Sequence, residues 1–230
     1  MKIIALADIH GYVEHLKPDS ALCRAIGSAD VVLIAGDITH FGGAKEAAWV
    51  LSSLKQYNEN VFAVTGNCDQ DTVGEYLRAE SMNLSCDGTI AGDVVLVGIN
   101  WSQACEEHTT TQTCEEHIAT YLSNMDTKWP TGKDMIFVSH RPAGGTVVDE
   151  VSIDRHVGSM AIRDFIEKHQ PVLAISGHIH EAICVGKLGR TTLVNPGPFG
   201  NGRYARIELG QGGVVTAELQ LAGEEKTGGW

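Results

Sequence analysis

Six short runs of apolar and mostly β-branched residues recur along the first four-fifths of the chain: "KIIALAD", "DVVLIAGD", "VFAVTGN", "VVLVGIN", "MIFVSH" and "VLAISGH". Each is bounded by Gly, Asp, Asn or His, which is the pattern of a strand buried on both faces. Between them lie stretches with helical spacing: roughly residues 18–28, 44–56, 72–79, 111–123 and 160–168, the last opened by Ser159 as a side-chain N-cap. The early order of strand, helix, strand, helix, strand predicts parallel pairing through crossover helices. From Ile183 onward "ICVGKL", "TTLVN", "RYARIEL" and "GVVTAELQL" follow one another with short Gly-rich connections, which predicts antiparallel hairpins. Two sheets packed face to face with helices outside accommodate both halves, so the fold class is α/β. The pattern predicts one domain over residues 1–222 and a polar, mobile tail over 223–230.

Composition narrows the function without naming it. The chain has 230 residues, 43% hydrophobic and 20% charged, and no apolar run approaches a membrane span. The opening "MKIIALADIHG" meets Asp8 and His10 too early for a secretory signal and reads as the first strand. Six scattered cysteines without a CxxC pair read as free thiols, and with no export signal the expected location is the cytoplasm. The net charge of −12 sets a repulsive average field for long nucleic acid, by which a small phosphorylated substrate would be less affected. No membrane partner is expected, and a homo-oligomer is compatible with the sequence.

The polar residues at the strand ends change the picture. Asp8 and His10 follow the first run, Asp37 the second, Asn67 the third, His140 the fifth, and His178 with His180 the sixth. An Asp or Asn after a strand is more often a turn or cap residue, and a lone His more often a hydrogen-bonded loop residue. Recurrence at five strand ends is what those separate explanations leave over, because ligands of crossover sheets gather outside the carboxyl ends of the strands. Three oxygen donors and four imidazoles suit Mn²⁺, Fe, Zn²⁺, Co²⁺ or Ni²⁺ better than Ca²⁺, and they are too many for one tetrahedral ion. Two divalent ions are therefore expected, with Mn²⁺ favoured. In an extended segment His178 and His180 would project to one side. Gly36, Gly66 and Gly177, each preceding a candidate ligand, would let the chain turn without a Cβ clash.

Taken in order, "DIHG", "GD", "GNCD", "SH" and "GHIH", with "VNPGPFG" as a closing segment, resemble the signature blocks of the calcineurin-like metallophosphoesterases, in the small bacterial and archaeal form with a GNCD block. The resemblance covers almost the whole chain. It implies a four-layer α/β/β/α sandwich and a binuclear centre in which Asp8, His10 and His180 hold one ion, Asn67, His140 and His178 the other, and Asp37 bridges. It implies a metal-dependent phosphoric-ester hydrolase in which a hydroxide between the ions attacks phosphorus in line. Asp37, Asn67 and His140 would then be catalytic as well as metal-binding. Cys68 stands where most relatives have a His that assists the leaving group, which favours phosphodiesters over monoesters and leaves Cys68 either as a weak proton donor or as packing. The alternatives are a phosphomonoesterase or nucleotide phosphatase, and an interaction scaffold of the same fold. Arg141 and His156 are candidate substrate contacts, with Arg155, His40 and Arg203 also able to face the site from a rim that includes residues 144–159.

Overall fold

The computed structural model describes residues 1–85, 88–101, 111–125 and 132–223. One sheet has the order β13-β12-β1-β2-β3, built from β1 (Lys2–Leu6), β2 (Val31–Ala35), β3 (Val61–Val64), β12 (Arg203–Gly210) and β13 (Gly213–Leu221). The other has the order β10-β11-β9-β6-β5-β4, built from β4 (Thr89–Ala91), β5 (Val94–Ile99), β6 (Asp134–Ser139), β9 (Leu173–Ile175), β10 (Cys184–Leu188) and β11 (Thr191–Asn195). Helices α1 (Ala21–Ser28), α2 (Ala44–Lys55) and α3 (Asp71–Ala79) flank the first sheet, and α4 (Thr111–Met125) and α5 (Met160–His169) flank the second.

Alternation along each strand produces the layers. Ile4 and Leu6 of β1 pack with Leu22 and Ile26 of α1 and Leu51 of α2, whereas Ile3 and Ala5 face the second sheet's Leu96, Ile136 and Val138. On the far side, Val95, Val97 and Phe137 pack with Ile118, Leu122, Ile162 and Phe165 of α4 and α5. Each central strand is thus apolar on both faces because each face covers a different core. The result is the expected α/β/β/α sandwich.

β1, β2 and β3 pair in parallel, as do β5, β6 and β9, so the carboxyl ends of all six strands reach one rim. The C-terminal segments form two antiparallel hairpins in different sheets, β10 with β11 and β12 with β13, and β11 also pairs in parallel with β9. Between the hairpins, "PGPFG" crosses from one sheet to the other through the short 3-10 turn Phe199–Asn201. A small hairpin of β7 (Glu150–Ser152) and β8 (Arg155–His156), absent from the sequence expectation, stands in the 144–159 loop. Helix α1 starts three residues later than the pattern suggests because the Ser20 hydroxyl accepts from Cys23 N at 3.1 Å. Ser159 caps α5 in the same way. Cys23, Cys68 and Cys184 are free, but Cys114 is disulfide-bonded, which departs from the expectation of thiols throughout. Residues 224–230, most of the expected tail, lie outside the described residues. Among the described residues no helix is long and apolar enough to cross a membrane.

Candidate metal centre

The turns after β1, β2, β3, β6 and β9 place Asp8, His10, Asp37, Asn67, His140, His178 and His180 at one rim. Asp8, His10 and His180 form one group whose donor atoms lie within 4.8 Å of one another, and Asp8, Asp37 and His140 form another. Asp8 belongs to both groups, and the Asp37 Oδ2 atom lies 3.7 Å from His10 Nε2 of the first and 3.4 Å from His140 Nε2 of its own. Asn67 Oδ1 is 3.0 Å from His140 Nε2, and His180 Nε2 is 3.3 Å from Asp8 Oδ1. The His178 ring stands 5.0 Å from that of His140.

Local backbone geometry builds this convergence at a cost. Asp8, His10, Asp37 and His178 all have positive φ, at 52°, 49°, 49° and 68°. A non-glycine residue there costs on the order of 1 kcal/mol or more, and such strain is kept where the surroundings over-determine it. Here Asp8 N donates to Gly36 O, His10 N to Asp37 O, Cys68 N to Asp37 Oδ1 at 2.8 Å, and His178 N to both Asp8 carboxylate oxygens at 3.2 Å. His178 and His180 consequently sit on a tight turn rather than an extended strand, with Ile179 N donating to Gly177 O. Ile179 between them turns inward and is buried. Gly36 does adopt the left-handed conformation, but Gly66 and Gly177 serve close approach instead. A Cβ on Gly66 would overlap Asp37 Oδ1, and one on Gly177 would come within 2.7 Å of Asp8 Oδ2.

The electrostatics favour a cation in this space. His140 is buried and its Nδ1 donates to Ala35 O at 2.8 Å, which turns Nε2 toward Asn67 Oδ1 and Asp37 Oδ2. Three acceptor atoms then point at one another. Burial alone would lower the His140 pKa, but the Asp37 charge overrides it and lifts the imidazole to about 9, so a proton is drawn in where a cation would lie. Burial likewise pushes Asp37 upward, and His140 more than reverses this, holding the carboxyl well below its usual range. His178 is lowered to about 4 by burial and by His140, which leaves a neutral ring able to donate a lone pair. His10 Nδ1 is buried without a hydrogen-bond partner. Its other nitrogen, Nε2, faces the buried Asp37 carboxylate at 3.7 Å, a gap that fits a metal ion.

Several residues of the site were not anticipated. Asp69, the last residue of "GNCD", accepts from Ile38 N, Thr39 N, the Thr39 hydroxyl and Gly66 N at 2.8–3.1 Å, and so ties the Asp37 turn to the Asn67 turn. At the end of β5, Asn100 Oδ1 accepts from Thr65 N, and the Trp101 ring lies 5.2 Å from His178 and 5.7 Å from His140. The closing block acts from outside: Asn195 Nδ2 donates to Ile179 O and holds the histidine turn.

Cys68 lies within reach of His10 and His40, its thiol pushed up to about 12 by burial and by Asp37. Arg141 meets Glu115 at 3.6 Å, and its charge is felt at His178. His156 bonds to Asp149 at 2.8 Å inside its own loop, and Arg155 is exposed on β8. Arg203 opens β12 with its side chain beside Gly197.

The family model described as the calcineurin-like phosphoesterase superfamily domain matches residues 1–218. An uncharacterized protein of Methanocaldococcus jannaschii is 36% identical over 202 residues, covering 86% of this chain and 88% of its own. The fold is similar to that of a Thermus thermophilus protein, with a TM-score of 0.68, 18% identity and coverage of 96% and 98%. It is also similar to a phosphopantetheinyl hydrolase from Mycobacterium tuberculosis, with a TM-score of 0.58, 12% identity and coverage of 85% and 88%. The chain belongs to the calcineurin-like phosphoesterase superfamily, whose members use divalent metal ions to hydrolyse phosphoesters.

Proposed function

We propose that this protein hydrolyses small phosphodiesters at a binuclear centre formed by Asp8, His10, Asp37, Asn67, His140, His178 and His180, with Mn²⁺ the best-suited ion. The convergence of His140 Nε2, Asn67 Oδ1 and Asp37 Oδ2, three acceptors with no donor between them except an added proton, carries the reading. When bound, two divalent ions supply positive charge to the phosphoryl oxygens and activate water for attack on phosphorus. The chain's own contribution is orientation. Ala35 O fixes the His140 ring, Cys68 N and Gly66 hold Asp37, and Asp69 keeps the Asp37 and Asn67 turns at fixed separation. Arg141, in electrostatic contact with His178, is the cation we assign to a substrate phosphoryl oxygen. His156 is anchored on the loop that would border the substrate. Burial pushes the Cys68 thiol up, and its weak donor character supports diesters over monoesters.

The test is a metal-by-substrate panel with matched model diesters and monoesters, run on the wild type, Cys68→Ala and Cys68→His. Diester turnover should exceed monoester turnover in the wild type and survive largely in Cys68→Ala. Cys68→His should raise monoester turnover, since general acid help is worth about 10²- to 10⁴-fold. A preference for monoesters in the wild type would overturn the diester assignment.

A further inference from the structure

Phe41 is placed in a way that folding does not require. Its ring is 63% exposed, and its backbone is in the left-handed region at φ 59°. An apolar ring left in water at a strained position gains the fold nothing, yet the segment is pinned. Phe41 N donates to Cys68 O at 2.7 Å, Gln70 Nε2 donates to Phe41 O at 2.8 Å, and the neighbouring Thr39 hydroxyl bonds to Gly42 O, Cys68 O and Asp69. The loop therefore holds the ring out in solvent, against the same "GNCD" turn that carries Asn67.

Successive ring contacts connect Phe41 to the metal centre. Phe41 meets His40 edge to face at 4.9 Å between centroids, and His40 meets His10 at 5.5 Å. The half-buried Trp101 packs against His178 and His140. A phosphoryl group at the centre would thus have an exposed aromatic ring two ring contacts beyond His10. We infer that Phe41 is a specificity-determining residue that stacks on a planar ring carried by the substrate, so that the preferred phosphodiesters are mononucleoside ones. This rests on the diester reading above and narrows it. The net charge of −12 agrees with a single phosphodiester rather than a polymer.

The experiment compares adenosine 2′,3′-cyclic phosphate with glycerol 1,2-cyclic phosphate, two five-membered cyclic diesters that differ in the ring, on the metal-loaded full chain. Phe41→Ala should raise KM for the adenosine substrate about tenfold with little change in kcat, the size expected for losing one base-stacking contact. The ratio of kcat/KM between the two substrates should fall by the same factor. Phe41→Tyr should restore the ratio and Phe41→Leu should not, which separates stacking from bulk. Equal losses on both substrates, an unaltered ratio in Phe41→Ala, or full rescue by Leu would overturn the inference. If the wild type hydrolyses neither diester, the diester reading fails on its own. Stacking is then judged by calorimetric titration of adenosine monophosphate against glycerol 3-phosphate. A preference for the nucleotide that Phe41→Ala abolishes supports it, and equal affinities overturn it.

Discussion

Asp37 and Asp149 are both buried carboxylates, 3% and 0% exposed, and both are held below the ordinary carboxylate range although burial pushes each upward. What opposes burial differs. Asp149 accepts from Gly145 N, Thr146 N and Gly158 N at 2.8–3.0 Å and from His156, all within its own loop. Asp37 has one backbone donor on Oδ1, while its Oδ2 faces two imidazole nitrogens at 3.4–3.7 Å, beyond a good hydrogen bond. A carboxylate filled by backbone donors organises a loop. One left facing lone-pair donors across a gap organises a cation.

Substitution should separate the two. Asp37→Asn removes the anionic oxygen that faces both His10 and His140, so turnover should fall by about 100-fold together with metal content. Wild-type metal content and rate in that variant would remove Asp37 from the centre. Asp149→Asn places an amide donor among backbone donors and should lower folding stability by about 1–3 kcal/mol while bound metal is retained. Metal loss in Asp149→Asn without a fall in melting temperature would erase the distinction.

A smaller effect concerns pH. Its hydrogen bond to Asp149 raises the His156 pKa, so this pairing stabilises the loop fully below the ordinary histidine value near 6.5 and is lost as pH rises through the raised value. At the acid end, Asp149 is depressed, so its share is present above the ordinary value of 3.8 and is lost as pH falls through the depressed one. The melting-temperature difference between wild type and His156→Ala should therefore be largest near pH 6 and fade at alkaline pH. A difference that grew with pH would mean the pairing is misread.

The same contrast explains what the sequence disclosed. Asp8, Asp37, Asn67, His140, His178 and His180 announce themselves because each interrupts an apolar strand at its carboxyl end, and parallel pairing then makes their convergence obligatory. Trp101 gave no such signal, since an aromatic after a strand reads as core or surface until its neighbours are known. Asp149 was invisible because three of its partners are backbone amides, which carry no sequence identity. The turn at His178 defeated the extended-strand argument, because the left-handed conformation there is held by Asp8, 170 residues away. The hairpin β7–β8, of three and two residues, is too short for periodicity to register. The C-terminal strands were legible as hairpins, but nothing local told which sheet each would join.

The central claim is that the open carboxylates and imidazoles hold two metal ions on which hydrolysis depends. Metal analysis of gently purified protein, followed by exhaustive chelation and readdition of Mn²⁺ with model-diester turnover measured at each stage, tests it most directly. The account predicts about two equivalents per chain at full activity, loss of turnover on chelation and its return with metal. Undiminished hydrolysis by the metal-free protein would contradict it.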